Sequence, residues 1–338
     1  MKAAILREIG KPLTIEDIPA PAPQPGEVQI KVEACGVCHS DLHLADGDWD
    51  LLKRITKVPL ILGHEVIGRV SAVGDGVANP KVGDRVGVPW IFWTCGECEF
   101  CKEGRETLCT KQKITGCTAD GGFAEYMIAP ATHAARIPDS LDSNEAAPLL
   151  CAGLTVYKAI KVSGIKAGQR MAVFGVGGLG HLAIQIARAM DVRVAAVDIA
   201  PDKLEFAKSL GAEWTFNGAT DDLRKSFRTI GGAHVALVTS AVASVYETAL
   251  RCLRGGGTMA VVGMANEPFK ASAVSLISGE TRIVASAVGT RDDLRELFEL
   301  VTKAPIKCKI ETRPLDQVNE VFDQLKKGGV IGRIVLTV

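Results

Sequence analysis

Met171-Ala172-Val173-Phe174-Gly175-Val176-Gly177-Gly178-Leu179-Gly180 is the stretch on which the fold turns. An apolar run enters a G-x-G-x-x-G loop, and a helix-like run over residues 181–190 leaves it. The glycine spacing is weak evidence alone. A strand before it, a helix after it and an acidic residue, Asp198, closing the next apolar run make it specific. Gly175 permits a tight turn, Gly177 lets backbone approach a pyrophosphate, and Gly180 lets helix and strand pack closely. The helix N-terminus then faces an anion. A carboxylate at Asp198 can bind both ribose hydroxyls of a dinucleotide and repels a 2′-phosphate, which favours NAD over NADP. The competing reading is an ordinary glycine-rich turn.

Working outward, strand-like runs at 193–197, 235–238 and 258–262 alternate with helix-like runs at 201–210 and 244–253. Such alternation predicts βαβ units and a parallel sheet, here an α/β, Rossmann-type doubly wound sheet. The N-terminal part reads differently. Glu27-Val28-Gln29-Ile30-Lys31-Val32-Glu33 alternates strictly, the period of a half-buried strand. Residues 66–88 are dense in Val and Gly, with turns at Gly74-Asp75-Gly76 and Gly83-Asp84, and predict short antiparallel strands. From about Asp292 the chain reads helix, loop, helix and a last strand over 333–338, which we assign back to the first part. The expected domains are therefore 1–151 with 292–338, β-rich, and 152–291, dinucleotide-binding.

The chain has 338 residues, 47% hydrophobic and 23% charged, with a net charge of +0. A balanced charge gives neither nucleic acid nor an anionic membrane a basic footprint, so neither is expected as a partner. The start, Met1-Lys2-Ala3-Ala4-Ile5-Leu6-Arg7-Glu8, lacks a signal-peptide core, and the longest apolar run is interrupted by glycines and His181. A cytoplasmic protein is expected. The 10 cysteines then suggest metal ligands or reduced thiols rather than disulfides.

Cys95-x-x-Cys98-x-x-Cys101-x7-Cys109 gathers four thiols in one polar loop. That suits a closed tetrahedral zinc site, which has a structural role because no position is left open. An iron–sulfur cluster is the rival, although its usual last spacing is shorter and is followed by proline, where Thr110 stands here. A second constellation begins in Ala34-Cys35-Gly36-Val37-Cys38-His39-Ser40-Asp41-Leu42-His43 and continues in Gly63-His64-Glu65 and Cys151. Two cysteines and a histidine would leave zinc an open fourth position for water or substrate. Sequence chemistry does not prove that these residues meet, and a lone His is more often a hydrogen-bonded core residue. Glu65 would sit beside the metal or serve as an alternative ligand.

With these motifs in order, the sequence resembles the zinc-dependent medium-chain alcohol dehydrogenases over essentially its whole length. Gly63-His64-Glu65-x2-Gly68-x5-Gly74-x2-Val77 is similar to their zinc signature. The run Gly36 to His43 and the chain length resemble the tetrameric microbial and yeast-type branch. The resemblance implies a β-rich, GroES-like catalytic domain beside the Rossmann-type one, NAD, two Zn2+ per subunit and a homotetramer. It implies Cys38, His64 and Cys151, with Glu65, at a catalytic zinc, and Cys95, Cys98, Cys101 and Cys109 at a structural one. Ser40 and His43 match a proton relay. His39 and Arg333 match residues at the cofactor pyrophosphate, Thr155 one beside the nicotinamide, and Leu179 and Val262 apolar neighbours of that ring. Lys203 matches a residue near the adenosine ribose, although a solvated helix charge is the simpler reading. Trp49 and Trp90 match substrate-pocket positions, with Met264 in a nearby turn; either tryptophan could instead only pack the domain, as Trp93 is expected to. Cys35, Cys117, Cys252 and Cys308 match no role.

The implied reaction is reversible transfer of a hydride from a small primary alcohol to NAD, giving an aldehyde. A polyol or amino-acid-alcohol dehydrogenase on the same scaffold is the alternative, since fold does not set substrate. A non-catalytic NAD-binding redox sensor is the reading from another class.

Overall fold

The structure, a computed structural model, describes residues 1–338, with every side chain except that of Leu51. The chain divides into two compact units. One comprises Met1–Cys151, Thr290–Lys303 and Cys308–Val338; the other comprises Ala152–Gly289 and Ala304–Lys307.

The first unit is built on the strand Glu27–Val37. Val28, Ile30 and Val32 point into the core, as the alternation predicts. The strand runs on beyond Glu33 because Ala34, Cys35, Gly36 and Val37 are buried on both faces, which erases the alternation there. It pairs antiparallel with Glu65–Val73 on one side and with Arg333–Thr337 on the other. The chain's last strand thus returns to this unit. Two register pairs matter for the site: Gly36 faces Glu65, and Val37 faces Ile334. They bring Cys38, His64, Glu65 and Arg333 to one end of the sheet. Gly36 has to be small, because a Cβ there would lie 1.9 Å from Glu65 Oε2. The apolar core joins Ile30, Val66 and Leu336 of this sheet to Leu62, Phe123 and Phe322. A separate two-stranded ribbon, Ile91–Trp93 with Lys113–Ile114, carries the four-cysteine loop.

The second unit is a six-stranded sheet in which every pair is parallel. Its order is Trp214–Asn217, Arg193–Asp198, Arg170–Phe174, Ala233–Val238, Leu253–Val261, Arg282–Ala285. The order reverses between Arg170–Phe174 and Ala233–Val238, so the crevice where an α/β sheet binds ligands opens at the glycine loop. Met171, Ala172, Val173 and Phe174 are buried, as befits a central strand covered on both faces. The two edge strands, Trp214–Asn217 and Arg282–Ala285, lack such a run. The sequence reading does not single them out, because each is short, has one neighbour and buries no residue fully. The strand Ile310–Pro314 of the first unit escaped notice for the same reason.

Candidate functional site

Cys38 ends the long strand and N-caps the helix His39–Asp46. Its backbone N–H donates to Asp41 Oδ2 at 2.9 Å. The other oxygen of Asp41 accepts from Gly63 N at 3.1 Å and lies 2.9 Å from His64 Nδ1. A carboxylate has no proton to give, so Nδ1–H donates and the lone pair of His64 sits on Nε2. Asp41 is fully buried, and its burial is balanced by these bonds. His64 Nε2 is buried with no hydrogen-bond partner. The sulfurs of Cys38 and Cys151 lie 3.9 Å apart, and the donor atoms of Cys38, His64, Glu65 and Cys151 all fall within 4.8 Å of one another. The thiol of Cys151, donating to Cys38, holds Cys38 well below the usual thiol range. An orphaned imidazole nitrogen among a thiolate, a thiol and a carboxylate is the donor set of a cation with bonds of about 2.0–2.3 Å, and zinc fits it.

Glu65 Oε1 accepts from the buried Arg333 guanidinium, while Oε2 and Arg333 Nε have no partner. Burial pushes the Glu65 carboxyl up, to about 7, and Arg333 pulls against it. Arg333, matched by resemblance to the cofactor pyrophosphate, is therefore engaged with Glu65 in this unit. Ser40 Oγ lies 3.6 Å from Cys38 Sγ. His39 is exposed on the same helix, and His43, half-buried, stands one turn on. Trp90 sets its ring edge-on to His64 at 4.8 Å, and Trp49 lies against His43 at 4.7 Å.

In the cysteine loop, Cys95, Cys98, Cys101 and Cys109 also fall within 4.8 Å of one another. Backbone N–H groups of Glu97 and Cys98 hold the Cys95 thiol down, to about 6. Cys101 goes the other way, to about 12, through desolvation first and its sulfur neighbours next. Four thiols this close cannot all ionise without a cation among them, so this donor set too fits zinc.

In the second unit the glycine loop meets its geometric demands. Gly175 has φ +96, and a Cβ there would crowd Thr239 Oγ1 at 2.9 Å. A Cβ on Gly180 would lie 1.8 Å from the Gly175 carbonyl oxygen, whereas Gly177 has open space beside it. Gly178 and Leu179 complete the turn, and Leu179 N-caps the helix Gly180–Ala189. Asp198 ends its strand and accepts from Val176 N at 2.7 Å and from Ala200 N at 3.1 Å. The carboxylate thus braces the loop and still has lone pairs for a ribose. Thr155 is buried in the helix Ala152–Ser163, Lys203 is half-buried in Pro201–Ser209, and Val262 follows the strand Leu253–Val261. Met264 is 55% exposed and belongs to this unit, whereas Trp49 and Trp90 belong to the first.

Two residues escaped the sequence reading. Asp41 stood inside the quoted stretch, but nothing local says that it reaches His64. His181 follows the glycine loop and donates from Nδ1 to the Gly177 carbonyl at 2.9 Å, which ties the loop to its helix. A histidine at a helix start beside G-x-G-x-x-G was the available signal.

A β-rich unit with two zinc-competent donor sets and a parallel-sheet unit with a dinucleotide loop define a zinc- and nicotinamide-dependent oxidoreductase class. Residues 24–139 match the alcohol dehydrogenase GroES-like domain family, and residues 178–303 match the zinc-binding dehydrogenase family. The chain is 44% identical to an alcohol dehydrogenase of Geobacillus stearothermophilus, over 100% of both chains. Among solved structures it is similar to the alcohol dehydrogenase of Aeropyrum pernix, with TM-score 0.91 and 33% identity over 100% of both chains. It is also similar to acetophenone reductase from Geotrichum candidum in complex with NAD, with TM-score 0.88 and 31% identity, covering 100% of this chain and 97% of that one. The chain belongs to the zinc-dependent medium-chain alcohol dehydrogenase family.

Proposed function

We propose that this chain reversibly oxidises small primary alcohols to aldehydes with NAD, at a zinc held by Cys38, His64 and Cys151. The carrying observation is the buried, unpartnered Nε2 of His64, its tautomer set by Asp41, facing two sulfurs. Zinc there supplies Lewis acidity, lowering a hydroxyl pKa by several units. Glu65, paired with Arg333, holds a carboxyl group beside the ligands. Ser40 takes the substrate proton and His43 hands it outward. His39 and Arg333 act toward the cofactor pyrophosphate, Thr155, Leu179 and Val262 toward the nicotinamide, and Asp198 and Lys203 toward the adenosine ribose. The NAD bound to the Geotrichum candidum relative supports the choice of cofactor.

A second zinc, in the Cys95–Cys98–Cys101–Cys109 loop, is structural and brings the count to two per subunit. Trp90 against His64 and Trp49 against His43 give the substrate apolar walls, with Met264 a further pocket residue. Such walls disfavour the polyol and amino-acid-alcohol alternatives, which need polar partners. The quaternary reading is a homotetramer, supported by an exposed apolar face on the second unit, and the compartment is the cytoplasm. Among the described residues, no helix is long and apolar enough to cross a membrane.

A steady-state assay with NAD and ethanol, extended to longer, branched and polyhydroxy alcohols, tests this. The expected ranking places ethanol and short primary alcohols first, graded by ~1–3 kcal/mol per methylene-sized mismatch. Trp90→Ala is expected to move the ranking toward larger alcohols. A preference for polyols overturns the substrate reading, and binding of NAD without turnover of any alcohol would favour a sensor.

A further inference from the structure

The helix His39–Asp46 ends on Gly47, which sits at φ +74. Gly47 N and Asp48 N both donate to the His43 carbonyl, at 2.9 and 3.1 Å. A side chain would be strained at this φ, and a Cβ would strike Ile9 Cγ2 at 2.5 Å, so the turn calls for glycine. The turn folds Asp48 back over the end of the helix and leaves its Oδ2 2.9 Å from His43 Nδ1. The next residue, Trp49, lays its ring 4.7 Å from the His43 ring at an interplanar angle of 32°. Consecutive residues thus hold both the nitrogen and the plane of one imidazole.

The surroundings single out Asp48. Asp46 is taken up by Lys326 of the helix Val318–Lys327 at 2.9 Å. The Lys53 stem runs beside Gly47, and the His39 ring is 6.4 Å from that of His43. Asp48 is the carboxylate bonded to the ring. As with Asp41 and His64, a carboxylate can only accept, so Nδ1–H donates and the lone pair is on Nε2.

We propose that Asp48 is a positioning residue for proton transfer, holding His43 as the Nδ1–H tautomer so that Nε2 is free to accept. This rests on the relay role proposed for His43. In alcohol oxidation Nε2 takes up the proton released from the substrate hydroxyl, and the imidazolium keeps its Nδ1–H on Asp48. The Nε2 proton then passes to bulk water, which the ring reaches through its 26% exposed side chain. In this step Asp48 only accepts the Nδ1–H bond and takes no proton from the ring.

The test uses the full-length, zinc-loaded enzyme and two readouts, the 15N shifts of the His43 ring and kcat for ethanol oxidation. His43→Gln identifies the ring signals by their disappearance. The unmutated ring is expected in the Nδ1–H form. Asp48→Ala is expected to shift it toward Nε2–H and to lower kcat roughly tenfold, less than the ~10²–10⁴-fold that a positioned acid–base group itself contributes, with NAD affinity unchanged. Asp48→Asn, whose amide oxygen can accept the same bond, should recover part of both; its melting temperature controls for a folding defect. Asp48→Ala should add nothing in a His43→Gln background, because the two act as one unit. An unchanged tautomer in Asp48→Ala, or a full further loss in the double variant, overturns the proposal. An unchanged rate in His43→Gln overturns the relay itself. The two failures are distinguishable because the tautomer is read independently of turnover.

Discussion

Single carboxylates set much of this chemistry. Asp41 satisfies Cys38 N, Gly63 N and His64 Nδ1 together. Asp41→Ala leaves two buried N–H groups unpaired, at about 1–3 kcal/mol each, and frees the imidazole to turn. Zinc affinity is expected to fall ~10–100-fold, as for other groups that orient a metal-ligating histidine. Zinc retained on dialysis against graded chelator checks this, and undiminished retention would refute the role. Asp198 braces the glycine loop, and in the proposed function it also meets the ribose. Asp198→Ala removes the bond to Val176 N and the charge that opposes a 2′-phosphate. NAD binding should weaken roughly 10–100-fold, the loss of a charge-assisted bond of about 1.5–3 kcal/mol, while the ratio of NADP to NAD kcat/KM rises. Equal use of both cofactors by the unmutated enzyme would remove the basis of this expectation.

At the scale of elements, the cysteine loop and the strand Glu27–Val37 contrast. The loop hangs on the short ribbon Ile91–Trp93 with Lys113–Ile114, and its helix Glu99–Lys102 buries no residue. With so little apolar area, the loop is expected to owe its order to the thiolates and the zinc proposed for them. Cys101→Ala should therefore remove about one zinc and lower Tm by several degrees, since a structural zinc contributes folding energy. Cys38→Ser should also lose about one zinc, together with nearly all turnover, and keep its Tm within a few degrees, because the strand behind it belongs to the core. Metal analysis and melting curves on both variants decide the matter; full activity in Cys38→Ser would sink the catalytic assignment.

For the whole molecule, the second unit carries a face with no occupant within the chain. The helix Ala273–Gly279 buries no residue, and Val274 and Ile277 are 76% and 78% exposed. Beside it, Arg282–Ala285 is an edge strand with Ile283 39% exposed. A bare sheet edge next to an apolar helix invites strand pairing, and a second copy of this chain offers a matching edge. Ile277→Asp places a charge on that face. It is expected to lower the molar mass in light scattering below that of the proposed tetramer. A monomeric unmutated protein would refute the assembly.

The sequence by itself determined what short-range spacing encodes. The glycine loop and the closely spaced Cys95, Cys98, Cys101 and Cys109 were legible because their partners lie within a turn or two, and the central strands because burial on both faces writes them as continuous apolar runs. Tertiary structure decided the rest. Cys38 and His64 are distant in sequence and meet because strand register sets Gly36 against Glu65, while Cys151 arrives at the end of the turn Ala147–Leu150, which packs on the same strands. Asp41 reaches His64, and Arg333 reaches Glu65, through the same register. The edge strands hid because an edge has one neighbour and tolerates polar residues. Hydrogen bonding and packing act over a few ångströms, so residues far apart in the chain acquire chemistry together only once the sheet has fixed the distance between them.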